Sequence, residues 1–314
     1  MRILITGGAG FIGANLVAEL VKEFEVGVID DLSTGSADNL HVDAWFQKMG
    51  ILEPDLQRVV GEFGPDVVVH LAAQSSVAVS LEDPERDWAA NVEGTRRVAE
   101  AAVACGASRM ISASSAAVYG EPAEEDLPLS ETAQKMPTSP YGESKLAAEE
   151  VLAGVLVSTD VDFASFRFAN VYGPMQDSEG EGGVVAVFSS ILARGSAPTI
   201  YGTGKQTRDF IFVGDVVSAI KTAMLTGARL REGEPGGPAY NISTGREISV
   251  NTLAALLSPL AGYLGTAQYA SARSGDIGRS SLNPDKARGV FAWDARVTLE
   301  RGLQSTYDWF TARK

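Results

Sequence analysis

The sequence predicts an α/β fold: a parallel sheet wound with helices on both faces, followed by a smaller mixed α/β part towards the C-terminal end. Three observations predict it. Short β-branched runs alternate with helical stretches through the first half of the chain, the pattern of a parallel sheet whose strands are joined by helical crossovers. The opening stretch, Arg2 to Asp31, reads strand, glycine turn, helix, strand and acid without interruption. And 314 residues, 45% hydrophobic and 21% charged, are enough to build one large domain or one and a half.

Arg2 to Thr6 is a β-branched and leucine run of the kind that becomes a buried strand. Gly7, Gly10 and Gly13 follow it, and a helix is expected from about Phe11 to Glu23. Glu25 to Ile29 forms a second strand that ends in Asp30 and Asp31. Glycines here permit a tight turn and a close approach to a pyrophosphate, whose charge the helix N-terminus favours. A carboxylate at Asp30 is placed to accept both ribose hydroxyls and to repel a 2′-phosphate, which favours NAD over NADP. The stretch therefore reads as a Rossmann-like dinucleotide site. Gly7, Gly10, Phe11, Ile12, Gly13, Asp30 and Asp31 are its cofactor residues.

A polar loop, LSTGSADNL, then leads into an unpatterned stretch up to Gly50. Asp55 to Phe63 reads as a short helix and Asp66 to His70 as a buried strand; the small Ala72 and Ala73 after it suit a backbone passing close to a ligand. Gln74 to Pro84 reads as a loop, about Glu85 to Cys105 as one long helix containing Asn91, and Arg109 to Ala113 as a strand. That strand runs into SASSAAVYG, a turn dense in small hydroxyl residues. Glu121 to Pro140 is acidic and proline-bearing, hence a loop, and the helix after it carries Tyr141 and Lys145 towards Val157.

Asp162 to Phe168 is a strand, Asn170 to Gly183 a long glycine-rich acidic loop, and Val184 to Arg194 an apolar helix. Less regular pattern follows: IYGTG, a strand in RDFIFV, and a helix from Asp215 to Leu225. Arg229 to Pro238 reads as a surface linker, Tyr240 to Ser243 as a strand, Val250 to Leu264 as a helix, and Leu299 to Phe310 as an amphipathic terminal helix. In such sheets ligands gather at the carboxyl ends of the strands.

Composition narrows the function. A net charge of −14 argues against nucleic acid or an anionic membrane as partner, so an anionic ligand needs local positive charge. No run of about eighteen apolar residues occurs, and the N-terminus lacks the features of a signal peptide, so a cytoplasmic protein is expected. Cys105 is the single cysteine and His41 and His70 the two histidines, too little for a disulfide, a thiolate metal site or a histidine triad. No metal is expected.

The chemistry is expected from Ser115, Tyr141 and Lys145. Tyrosine and lysine four apart share one helix face. A phenol titrates near pH 10, and a neighbouring ammonium together with the positively charged nicotinamide brings it towards the working range of a base. Ser115, at the strand end facing this helix, is placed to hydrogen-bond the same substrate oxygen.

TGGAGFIG, VIDDLSTG, HLAAQSSV, NVEGT, SSAAVYG, SPYGESK, RFANVYGP, YGTGKQTRDFIFVGDVV and RSGDI stand in one order along essentially the whole chain. In this the sequence resembles the extended short-chain dehydrogenases/reductases, and within them the NAD-dependent nucleotide-sugar epimerases typified by UDP-glucose (UDP-galactose) 4-epimerase. The resemblance implies 4-epimerisation of a nucleotide sugar, with Tyr141 as general base on the sugar 4-hydroxyl, Lys145 holding the ribose and tuning Tyr141, and Ser115 orienting the 4-oxygen. Hydride leaves C4 for tightly held NAD, the 4-keto sugar turns over, and hydride returns to its other face, so NAD is recycled. Asn91 and the segment Leu71, Ala72, Ala73 and Gln74 would line the cofactor. Ser76, Ala116, Asn170, Val184, Val185, Tyr201, Arg208, Arg273 and Asp276 would meet the substrate, the two arginines suiting phosphate.

The resemblance also implies a NAD-binding domain of 1–168 plus about 207–245, a nucleotide-sugar domain of about 169–206 plus 246–314, and a homodimer formed through the two long helices. Departures from the family pattern bear on detail. Gly50 replaces an aspartate that contacts adenine, Met175 replaces an arginine, and Ser274 a proline. Ser280 stands at the position that gates sugar size, where a small residue leaves room for an N-acetylated sugar, and Arg279 beside it could meet a uronate carboxylate. A 4,6-dehydratase would carry an Asp-Glu pair after the site hydroxyl, where this chain has Ala116 and Ala117. Uronate 4-epimerisation, a dTDP sugar and a non-catalytic NAD-binding scaffold are the other readings.

Overall fold

The computed structural model describes residues 1–179, 183–233, 237–272 and 277–312. The first half of the chain runs β1 (Arg2–Thr6), α1 (Phe11–Leu20), β2 (Glu25–Asp30), β3 (Trp45–Lys48), α2 (Leu56–Phe63), β4 (Val67–His70), α3 (Val77–Glu82), α4 (Pro84–Trp88), α5 (Gly94–Ala104), β5 (Arg109–Ser115), α6 (Pro140–Leu156) and β6 (Asp162–Phe168). After it come β7 (Asn170–Tyr172), α7 (Val184–Ala193), β8 (Thr199–Tyr201), β9 (Thr207–Arg208), β10 (Phe210–Phe212), α8 (Val213–Leu225), β11 (Ala239–Ile242), β12 (Ile248–Ser249), α9 (Val250–Leu260), β13 (Gln268–Ala270), α10 (Asp285–Phe291) and α11 (Leu299–Ala312).

Seven described strands form one parallel sheet in the order β11-β6-β5-β4-β1-β2-β3, the predicted Rossmann-like arrangement. The chain leaves β1 in one direction for β2 and β3, then returns to place β4 on the other side. This reversal opens a crevice at the carboxyl ends of β1 and β4. Along β1 successive side chains go to opposite faces: Ile3 and Ile5 join α1 and α8, while Leu4 joins α2, α5 and α6. Both faces are covered, which is why the strand is apolar throughout rather than alternating. A separate apolar cluster of Tyr172, Phe188, Leu192, Phe210, Leu253, Leu257 and Leu303 holds α7, α9 and α11 together.

Several elements differ from expectation. β3 lies inside the unpatterned stretch; as the sheet's edge strand its side chains are exposed or half-buried, so no periodicity marks it. The expected loop after Gln74 contains α3, capped by the Ser76 hydroxyl, which accepts from Val79 N at 3.0 Å. The expected long helix is interrupted by a π turn over Ala89–Glu93 between α4 and α5. The expected loop after Asn170 begins with β7, paired with β10. The segment read as a surface linker is pinned at one end: Leu230 is buried, and the backbone amides of Leu230 and Arg231 donate to Asp162 at 3.0 Å each. α9 stops at Leu260, after Pro259, and the chain turns at Gly262. No described helix is long and apolar enough to cross a membrane.

Candidate active site

The glycine turn sits where β1 enters the crevice. Gly7 has φ +74°, and a Cβ on it would lie 2.6 Å from Ala72 N, so the turn presses directly on the end of β4. A Cβ on Gly13 would lie 2.1 Å from Gly7 O, so α1 packs on the turn without an intervening side chain. α1 starts at Gly10 with no side-chain cap and no acid in its first turn, leaving its N-terminal amides and partial positive charge for an outside anion. At the end of β2, Asp30 is anchored: Oδ2 accepts from Ala9 N at 2.9 Å and Oδ1 from Leu32 N at 2.8 Å. Each oxygen retains accepting capacity for a hydroxyl. Asp31 is exposed and takes Ser33 N at 2.9 Å. Uncapped amides, a backbone cradle that any Cβ would fill and a fixed carboxylate one strand away fit a dinucleotide.

Gly50, a departure from the family pattern, lies beside Glu53 and Asp31, whose carboxylates would stand 3.7 and 3.9 Å from a Cβ there, and its amide donates to Glu53 Oε1 at 2.8 Å. A carboxylate from a neighbouring residue thus stands in this loop.

The reacting residues converge from two elements. β5 ends at Ser115, whose hydroxyl accepts from Ala117 N at 3.2 Å and is near enough to the Tyr141 phenol to favour its ionisation. α6 opens with Ser139 as cap, accepting from Gly142 N at 3.2 Å, and with Pro140 in its first turn. That places Tyr141 and Lys145 on the face towards the β5 end. Lys145 is buried and its ammonium donates to Ala113 O at 3.1 Å. Burial pulls Lys145 down to about 8, against the charges of Asp87 and Glu149. Burial pushes the Tyr141 phenol up; the Ser115 hydroxyl acts against this and Asp87 adds to it.

A buried polar cluster lies behind this pair. Gln74 Nε2 and Asn91 Nδ2 both donate to Asp87 Oδ1, at 2.5 and 3.3 Å, and Asn91 Nδ2 also donates to Ser144 Oγ at 3.0 Å. His70 bridges Thr6 Oγ1 at 2.7 Å and Thr95 Oγ1 at 3.1 Å. Gln74 and Asn91 belong to the sequence-predicted set, whereas Asp87 does not. Its signal was available: in DPERDWAAN it stands four residues before Asn91, one helical turn away. Arg167 and Glu149 were also missed; their two hydrogen bonds, 2.9 and 2.6 Å, tie β6 to α6, and Glu149 further accepts from Ser114 Oγ at 2.5 Å.

The sequence-predicted nucleotide residues are placed unevenly. Asn170 and Arg208 are brought together, since Asn170 N donates to Asp209 O at 2.9 Å; Arg208 is half-buried and its Nη1 reaches Thr207 O at 2.8 Å. Tyr201 is exposed at the end of β8, and Ala116 and Val184 are half-buried. Val185 is buried in the α7 core, and the Ser76 hydroxyl is engaged in capping α3. Leu71, Ala72 and Ala73 are half-buried where β4 ends. Arg273, Ser274 and Asp276 lie outside the described residues. Arg279 is gripped by Glu247 through Nε at 3.0 Å and Nη2 at 2.6 Å, and by Glu124 through Nη1 at 3.0 Å. Ser280 beside it is half-buried.

Known proteins resemble this chain in sequence and fold. The profile of the NAD dependent epimerase/dehydratase family matches residues 3–243. A UDP-glucose 4-epimerase of Mycolicibacterium smegmatis is 41% identical over 99% of this chain and 98% of its own. Among solved structures, UDP-glucose 4-epimerase of Thermotoga maritima with UDP-glucose superposes with a TM-score of 0.94 at 37% identity, covering 100% of this chain and 99% of the other. The Thermus thermophilus UDP-glucose 4-epimerase in complex with NAD gives 0.90 at 36% identity, covering 99% of each chain.

Proposed function

Since the chain belongs to the NAD dependent epimerase/dehydratase family, we propose that it is an NAD-dependent nucleotide-sugar 4-epimerase of the UDP-glucose/UDP-galactose type, cytoplasmic and working as a homodimer. The observation that carries the reading is the convergence of Ser115, Tyr141 and Lys145 at a strand end beside an uncapped, glycine-lined helix N-terminus. Full-length likeness to UDP-glucose 4-epimerases supports the substrate class.

Residues 1–168 and about 207–245 hold NAD, and about 169–206 and 246–314 hold the nucleotide. The first-turn amides of α1 take the pyrophosphate, Asp30 the ribose hydroxyls, and Leu71, Ala72, Ala73, Gln74 and Asn91 line the rest. When bound, NAD supplies a hydride acceptor for sugar C4 and a positive charge beside the phenol. Tyr141 Oη takes the 4-hydroxyl proton and later returns it. Ser115 holds the 4-oxygen in reach of that phenol. Lys145 meets the ribose and contributes the charge that favours the phenolate. Asn170, Arg208, Arg273 and Asp276 hold the nucleotide, leaving the sugar to turn over as a 4-ketone.

Elimination of water is disfavoured because Ala116 and Ala117 offer no acid or base beside Ser115. A uronate is disfavoured because Arg279 already carries Glu247 and Glu124. The test is incubation with UDP-glucose, UDP-galactose, UDP-N-acetylglucosamine, UDP-glucuronate and dTDP-glucose, read by proton NMR. A new H4 signal at constant mass is expected; loss of water, or bound NAD with no turnover of any sugar, would sink the reading. Tyr141→Phe should keep fold and NAD but lose about 10²–10⁴ in kcat, and near-normal turnover would remove the base role.

A further inference from the structure

Asp87 is fully buried on α4, yet among the described residues no lysine or arginine is hydrogen-bonded to it. Its Oδ1 carries both amide donors, Gln74 at 2.5 Å and Asn91 at 3.3 Å, while Oδ2 has no hydrogen-bond partner among the described residues, and neither has Asn91 Oδ1. Asn91 passes the contact on to Ser144 Oγ, which donates to Tyr141 O at 3.1 Å. Asp87 is thus joined to the first turn of the helix that carries the reacting pair. Burying a carboxylate without a paired cation is costly, and an apolar residue of similar size would avoid the cost. The chain keeps the charge where the buried Lys145 ammonium feels it.

We propose that Asp87 is a positioning residue of the reaction: its buried carboxylate, free of a hydrogen-bonded cation, anchors Gln74 and Asn91 of the cofactor lining, is joined through Ser144 to the first turn of the helix that carries Tyr141 and Lys145, and supplies the negative charge of this buried cluster. The inference rests on the 4-epimerase reading above.

The groups around Lys145 make Asp87 the telling one. The charges of Asp87 on α4 and of Glu149, one turn along α6, act on Lys145, its own charge acts on His70 of β4, and Tyr141 stands one turn before it on α6. Glu149 is occupied by Arg167 of β6, which is also hydrogen-bonded to Tyr119 in the turn after β5. On α5, Arg96 and Arg97 lie towards the surface, bound to Glu93 and Glu100, and Glu82 of α3 is exposed. His70 is held neutral by burial. Burial works against the Lys145 charge, and Asp87, ahead of Glu149, works for it. Asp87 also opposes ionisation of Tyr141. Without its charge both groups titrate lower. The acid limb of activity, set by loss of the phenol proton, and the alkaline limb, set by loss of the ammonium proton, then move together to lower pH.

Asp87→Asn keeps the shape and removes the charge. Two quantities are measured in wild type and variant: kcat against pH, and the titration of the Lys145 Cε resonance in lysine-labelled protein, assigned with Lys145→Met. Expected are a whole profile displaced to lower pH by about one unit, a Lys145 midpoint lowered by about as much, and partial restoration by Asp87→Glu. An unmoved Lys145 midpoint overturns the proposal, as does a kcat lowered equally at every pH, which marks a packing role. The lysine titration needs no turnover, so a wild type that epimerises no sugar defeats the functional reading while the charge coupling is still read. If D87N does not fold, Asp87→Ser, which leaves room for a water, takes its place in both measurements.

Discussion

His70 shows how far burial sets chemistry at a single residue. Held between the Thr6 and Thr95 hydroxyls, its imidazole is pushed down to about 3, first by burial and then by the Lys145 charge. In the unfolded chain it titrates near pH 6.5. Between those values the unfolded state binds the extra proton, so stability is full above about pH 6.5 and falls with pH through the window below it. From pH 6.5 to about 4.5, above most carboxylates, wild type should lose up to about 1.4 kcal/mol per pH unit. His70→Gln should flatten that slope in urea midpoints, and an unchanged slope would refute the neutral, buried imidazole. At this scale the sequence is legible where chemistry repeats at fixed spacing, as in Tyr141 and Lys145 four apart. It is silent where a charge acts across elements: the Asp87 charge acts on Lys145, and Arg167 pairs with Glu149, only after α4, α6 and β6 pack.

At the scale of elements, α1 and α2 give opposite answers to one substitution. Gly13→Ala puts a methyl 2.1 Å from Gly7 O, so α1 must separate from the glycine turn. The expected outcome is a less stable protein that no longer retains NAD, seen in melting and in cofactor absorbance after gel filtration. Gly61 lies exposed within α2, with nothing within 4 Å of an added Cβ. Gly61→Ala should therefore stabilise by about 0.5–1 kcal/mol through helix propensity alone, leaving kcat unchanged. A loss of stability there would contradict the open space. The same contrast explains which elements could be read. β1, α1 and β2 announce themselves because both faces are buried and the turn chemistry is strict. β3 does not, since an edge strand with half-exposed side chains carries no apolar period, and the π turn at Ala89–Glu93 leaves the helical pattern around it intact.

Across the whole molecule, the parallel sheet and its strand order follow from alternation and connection rules. The second apolar cluster was less legible because its strands are two or three residues long and find partners far away in sequence, β7 with β10 and β8 with β13. One large-scale property remains to be argued from the surface. Large apolar side chains are exposed on or beside the helices proposed to pair two copies, about Glu85 to Cys105 and Tyr141 to Val157: Trp88 at 50%, Val157 just beyond α6 at 67%, and Leu81 at 65% on α3, which precedes the first of them. Water contact there is relieved if a second copy covers it. Two chains of net charge −14 repel at long range, so association should tighten as salt screens them. Light scattering is expected to give twice the chain mass at 0.15 M salt or above, roughly the range where the Debye length falls below about 8 Å. Leu81→Glu with Trp88→Glu should shift it to the monomer with the fold retained, because both side chains are solvent-facing within one chain. A monomer mass for wild type at working concentration, at any salt, would remove the dimer.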